Sequence, residues 1–137
     1  MANSLNNLAN VTRRLRDFDA AQAMYAESLR INRQLGDRWA LAYLLEDMGV
    51  LAAQMDQPVR ALCLVGAAAT ARAAIGAPRS TAETEKLDQA LQPVIARLDS
   101  ATADALLAQG AALALDEIVA CALGERPFPD AADLDPG

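Results

Sequence analysis

Six side chains within the first fourteen residues carry most of the recognisable binding chemistry: Asn3, Asn6, Asn7, Asn10, Arg13 and Arg14. A carboxamide holds a donor and an acceptor together, so it can pair with both polar groups of a peptide backbone. A guanidinium can fork onto a carboxylate. On a helix these residues recur every three to four positions and so share a side. Read this way they form a face for a protein or peptide partner. Two plainer readings stand beside it: a face that is merely solvated, and a face that packs on a preceding repeat of a longer chain.

Little else offers chemistry. The chain has no histidine, which removes the commonest general base and metal ligand at neutral pH. Its serines are Ser4, Ser28, Ser80 and Ser100, and the one lysine that might activate a serine is Lys86. Lys86 stands beside Glu83 and Glu85, where a surface ion pair is the expected role. Glu46 and Asp47 form the best carboxylate pair, with no partner at metal-ligand spacing. Cys63 and Cys121 lie in the apolar runs LCLVG and VACAL and read as small buried hydrophobes. Neither a zinc spacing nor a disulfide framework is present. No active site, cofactor or metal site is expected, and the chain is not read as an enzyme.

These side chains must be positioned by helices. Apolar residues make up 53% of the chain but aromatics only 4%, because alanine dominates the apolar set. Alanine has the highest helix propensity and loses no side-chain entropy, so this is a composition for closely packed helices. No sustained two-residue alternation marks a strand. The expected fold is all-α, with about seven helices. The first runs from about Asn3 to Arg16, with Leu5, Leu8, Val11, Thr12 and Leu15 as its inner stripe. Asp17 caps a second, which runs to about Leu35 with Ala21, Met24, Tyr25, Ser28, Leu29, Ile31, Asn32 and Leu35 inward; Gly36 ends it.

Asp37 caps a third, to about Met55, which is apolar over most of its circumference, Trp39 included, and should lie between two neighbours. Pro58 opens a fourth, stopped by Gly76, in which Gly66 and three alanines permit close backbone approach. Ser80-Thr81-Ala82-Glu83 is a capping box for a fifth, in which Pro93 predicts a kink or break near Gln92. Asp99 or Ser100 begins a sixth, and a short seventh spans Asp116 to Leu123. From Glu125 onward the tail, with Pro127, Pro129, Pro136 and four acids, is expected to be disordered.

The chain also repeats itself. A shift of 40 residues places Leu5 on Leu45, Leu8 on Met48, Ala9 on Gly49, Ala21 on Ala61 and Gly36 on Gly76. One helix pair cannot hide its apolar face, so such units stack. The spacing of Leu8-Ala9, Ala21, Tyr25 and Ser28 resembles the small and aromatic packing positions of the tetratricopeptide signature. The signature's closing proline and, in the first unit, its leading tryptophan are absent. The resemblance implies antiparallel helix pairs stacked as a short right-handed solenoid. It also implies that the first helix of each pair lines a concave groove where asparagines hold an extended peptide. The expected division is residues 1–79 as two helix pairs, 80–124 as C-terminal capping helices, and 125–137 as the tail. In the second unit Tyr43, Glu46, Val50 and Gln54 take the equivalent places, so a basic clamp does not continue.

Over residues 5–124, GDRW, LVGAA and IGAP in order, followed by ALALDEIVACAL, resemble the C-terminal helical region of large bacterial regulators of the P-loop ATPase and LuxR type. Ala114 stands where that family often has a capping serine. The resemblance implies a regulatory, non-catalytic segment. The chain contains neither a GxxxxGK[ST] loop nor a helix-turn-helix reader, so ATP and DNA binding do not carry over. It is expected to be the end of such a regulator or a truncated relative. The alternatives are an inert structural fragment and a stand-alone adaptor.

Charge narrows the partner. Residues 1–40 hold six arginines against four acids, whereas residues 83–137 hold eleven acids against three bases. That acidic end argues against direct nucleic-acid binding, which depends on neutralising phosphates. No apolar run approaches the ~20 residues that span a bilayer, and MANSLNNLAN has no secretory pattern. The expectation is a cytoplasmic protein that meets another protein or peptide, or preceding repeats, with self-association through the N-terminal helix pair as a further expectation.

Overall fold

The structure is a computed structural model that describes residues 2–128 of the 137. Seven helices and no strand occur among the described residues: α1 (Ala2–Arg14), α2 (Phe18–Leu35), α3 (Arg38–Gln54), α4 (Pro58–Ala74), α5 (Thr81–Ile95), α6 (Ser100–Ala112) and α7 (Leu115–Ala122). Their ends follow local chemistry. Asp17, Asp37 and Asp99 each accept a hydrogen bond from the backbone N–H three residues on, at 3.3, 3.1 and 2.7 Å. Each thereby satisfies a donor that the first helical turn leaves open. The capping box forms as expected, with Glu83 N–H to Ser80 Oγ at 3.1 Å and Ser80 N–H to Glu83 Oε1 at 3.0 Å. Gly36 takes φ of 65° at the end of α2, a left-handed conformation that costs glycine nothing.

The 40-residue repeat is visible in the backbone. Asp17 N–H reaches Thr12 O at 3.1 Å, and Gln57 N–H reaches Ala52 O at 2.9 Å. Asp37 to Asn32 and Ala77 to Arg72 form a second matched pair, at 3.1 and 2.9 Å. Arg16 and Asp56, also 40 apart, share a positive φ of 67° and 59°. Identical turns return the chain in the same way twice, and that is what stacks α1–α2 on α3–α4.

α3 packs between α2 and α4, with α5 also against it. Its buried residues Leu41, Leu44, Leu45, Met48 and Leu51 point to several sides of the helix, as its all-round apolarity requires. α6 lies tightly along α4. A Cβ on Gly66 would collide with the Leu107 carbonyl, and one on Gly110 with the Cys63 carbonyl. The two helices therefore approach reciprocally, backbone to backbone, wherever a side chain is missing. After a bend of 115°, α7 turns back so that Ile118, Val119 and Cys121 join the core formed by Tyr25, Leu29 and Leu45. A second cluster joins Leu62, Val65, Leu87, Leu91 and Leu106. No single helix among the described residues is long and apolar enough to cross a membrane.

Four expectations need correction. The α1 stripe is not inward: Leu8, Val11 and Leu15 are 52%, 47% and 77% exposed, and Ala9 is the buried contact. Their repeat mates Met48 and Leu51 are covered, because α3 lies between α2 and α4. Leu35 and Trp39, flanking the α2–α3 turn, are likewise exposed. Pro93 does not break α5 near Gln92, because the helix continues through it to Ile95. The tail does not leave the fold at Glu125: that carboxylate forks onto Arg33 at 2.8 and 3.0 Å, and Phe128 packs against both clusters under the Arg60 guanidinium. The rest of the expected tail, with Pro129 and Pro136, lies outside the described residues.

Candidate functional site

A cleft of about 500 Å³ opens between α1, α2 and α3, lined among others by Asn6, Asn10, Asn32, Trp39, Tyr43 and Asp47. Its floor is a hydrogen-bonded chain. Arg13 Nε donates to Tyr25 Oη at 3.2 Å, and the Tyr25 hydroxyl donates in turn to Asn10 Oδ1 in a short bond. Tyr25 is buried, and burial pushes its hydroxyl above the ordinary range. Asn10 and Asn6 share the cleft lining with Asp47 and favour the charged form of its carboxyl. Two helix pairs are thus joined through polar side chains at the cleft floor.

Asp47 is the unusual member. Burial pushes its carboxyl up to about 6, with Arg13 opposing, Glu46 adding to the rise, and the Asn10 and Asn6 hydrogen bonds opposing. One further acceptor at the floor, Asn6 Oδ1, is buried without any hydrogen-bond partner. On the other side of the network Asn32 Nδ2 donates to the Ser28 carbonyl at 2.8 Å and to Ser28 Oγ at 3.3 Å.

The wall is aromatic. Trp39 and Tyr43 lie one helical turn apart on α3 and stack with centroids 6.1 Å apart and planes within 12°. Trp39 remains 53% exposed. The Tyr43 ring is held by Arg72, whose guanidinium carbon lies 4.6 Å from the ring centroid. Arg72 is itself buried, donating to Ala77 O at 2.9 Å, Glu83 at 2.8 Å and both Glu46 oxygens at 3.2 Å. Burial works against its charge, but the Glu83 hydrogen bond and the Glu46 carboxylate outweigh it. Arg79 completes the cluster with a short bond to Glu46 and one of 3.2 Å to Val65 O.

The predicted face divides. Asn6 and Asn10 line the cleft, and Arg13 lies at its edge, already bonded to Tyr25 and, at 3.2 Å, to Gln54. Asn7 and Arg14 are exposed outside the lining, and the Asn3 side chain lies outside the described ones. A spacing of three to four holds a common side over one turn, but six such residues spread around the helix. Of the second-unit places, Tyr43 belongs to the cleft, Glu46 is consumed by Arg72 and Arg79, and Gln54 accepts from Arg13. Lys86 is exposed, and its expected partner Glu83 faces Arg72 instead.

Sequence reasoning missed Asp47 and Trp39 as site residues. A signal was present: after Arg38, the only charges on the otherwise apolar α3 are Glu46 and Asp47. A charge on a buried helix needs a partner or a pocket.

Stacked helix pairs with a polar, aromatic-walled cleft between the first helices define a helical-repeat protein. The tetratricopeptide repeat family model matches residues 1–74, more than half the chain, ending where α4 ends. The chain belongs to that family, whose members generally mediate protein–protein contacts. α5, α6 and α7 lie beyond the match. No curated protein and no solved structure matches the chain.

Proposed function

We propose that this chain is a non-catalytic protein-interaction module whose α1–α3 cleft receives an extended segment of a partner protein. The observation that carries the reading is the cleft itself. Its floor of donors and acceptors is fixed by a buried network, and its wall is a braced aromatic pair. Such a surface is preorganised, so little side-chain entropy is lost when a peptide docks. The test is to titrate the ¹⁵N-labelled chain with a panel of unstructured decapeptides of acidic, basic and neutral composition. Shifts should centre on Asn6, Asn10 and Tyr43, and binding should be lost in Asn10→Ala but kept in Arg14→Ala. A panel in which nothing binds, or binding indifferent to Asn10→Ala, refutes the reading.

A second surface supports a further reading, that the stack continues. Leu8, Val11 and Leu15 repeat at 40 residues as Met48, Leu51 and Met55, two of which are fully covered where α3 meets its neighbours. The bare stripe on α1 therefore has the form of a joint for one more helix pair. We propose that the pair precedes this segment in a cytoplasmic, ATP-dependent bacterial transcription regulator, as the GDRW, LVGAA and IGAP resemblance suggests. Self-association through the same stripe is the competing outcome. Light scattering separates them: a dimer abolished by Leu15→Asp supports pairing of copies, and a monomer at high concentration excludes it.

A further inference from the structure

We propose that the cleft is built for a cation, specifically an arginine side chain presented by the extended partner segment; this rests on the peptide-binding reading above. The argument begins with sign. Asp37 and Asp47 line the cleft, and no basic residue does. Arg38, between Asp37 and Trp39 in sequence, lines a different pocket, and the two arginines that contact the cleft's tyrosines are already engaged. Arg13 bonds Tyr25 and Gln54, and Arg72 sits behind Tyr43 bonded to Glu46 and Glu83. The cleft therefore offers an incoming carboxylate no free positive partner. It offers an incoming cation a partly buried carboxylate without a full counter-charge.

The second strand is hydrogen-bond accounting. Asn6 Oδ1 is buried and unpaired, and a buried acceptor left bare is costly. Asn6 and Asp47 line the same cleft, and Asn6 favours the charged form of that carboxyl. A carboxylate and a bare amide oxygen thus lie side by side at the floor, both of them acceptors. A guanidinium presents five N–H donors in a rigid plane and can serve two adjacent acceptors at once. An ammonium is a compact point charge that stays strongly hydrated, so it fits this pair less well.

The third strand is the wall. Trp39 and Tyr43 stack nearly parallel, and Trp39 is half exposed at the cleft. A planar cation gains from lying on an aromatic face, most of all on tryptophan. Arg72 occupies one face of Tyr43 in this manner inside the protein. The 500 Å³ cleft has room for a long side chain together with adjoining backbone. An arginine laid along the wall would place its donors at Asp47 and Asn6.

Trp39 is the chain's only tryptophan, so its emission reports on this cleft alone. The experiment titrates the intact chain with acetylated, amidated Gly/Ser decapeptides carrying one central Arg, citrulline, Lys or Glu. It follows Trp39 emission and, independently, polarisation of a dye on the peptide. Citrulline has arginine's shape without its charge. The arginine peptide should bind at least tenfold more tightly than the citrulline peptide, with lysine between them and glutamate weakest. Asp47→Asn should remove the arginine preference, and Trp39→Ala, at an exposed position, should weaken the arginine peptide severalfold by polarisation. Equal binding of arginine and citrulline, a preference for glutamate, or an undiminished preference in Asp47→Asn overturns the arginine assignment and leaves peptide binding standing. Failure of every peptide overturns both.

Discussion

Asp47 yields a prediction whose sign runs opposite to ordinary acid denaturation. Its carboxyl titrates at 3.8 in the unfolded chain and at about 6 in the fold, because burial penalises the charged form more than Arg13 and the two asparagines relieve it. Between those values the folded state holds a proton that the unfolded state has released. Stability from this residue is therefore present at low pH and is lost as pH rises through about 6. At ~1.36 kcal/mol per pKa unit, the shift amounts to about 3 kcal/mol in full. Between pH 5 and 7.5 the loss is about 1.4 kcal/mol, since much of the titration lies below that range.

Glu83 is held down to about 2 by the Ser80 backbone hydrogen bond and by Arg72, and Asp99 and Glu125 are also lowered. Those three lose their contribution only in more acidic solution, so the chosen range isolates Asp47. Urea unfolding followed by far-UV circular dichroism at four pH values should show the parent weakening toward pH 7.5. Asp47→Asn, close to isosteric, should be flatter by about 1 to 1.5 kcal/mol. Parallel curves for the two proteins would refute the placement of Asp47 as a desolvated carboxylate.

Three further outcomes follow from the packing. Arg72→Met should destabilise the fold by about 2–4 kcal/mol, because Glu83 loses a charged partner and the Ala77 carbonyl a donor; an effect below about 0.5 kcal/mol in chemical denaturation would mean the cluster is not formed. Gly66→Ala should cost about 1–3 kcal/mol by pushing α4 off the Leu107 carbonyl, whereas the exposed Ala69→Ser should be near neutral. Equal melting temperatures for those two would refute the close α4–α6 approach. Cys63, pushed to about 11 by burial, and Cys121, also raised by burial, should resist a thiol reagent at pH 8 until urea unfolds the chain; rapid labelling of the folded protein would place either thiol at the surface.

The helices were legible in the chain because their determinants are local. Asp17, Asp37, Ser80 and Asp99 cap where they stand, and Gly36 and Gly76 terminate by backbone freedom that no distant contact supplies. The repeat was legible for the same reason, since two like segments make like turns. The asparagines of α1 were recognisable as sharing a polar side, and of them Asn6 and Asn10 line the cleft.

What the linear order leaves open is which side of a helix meets a neighbour. Leu8 and Met48 are equivalent in the repeat, yet one is half exposed and the other buried, because α3 lies between α2 and α4 whereas α1 packs chiefly on α2. Arg13, open to a carboxylate by spacing alone, is turned to Tyr25 and Gln54 once α1 lies against α2 and α3. Asp47 acquires its character only when burial strips its water and Asn6 and Asn10 arrive from another helix. Sequence by itself determined the helices, their caps and their tendency to stack. Tertiary structure alone decided which charges are paired within the fold and which are left without a counter-charge, because desolvation and pairing act between residues that are far apart in the chain.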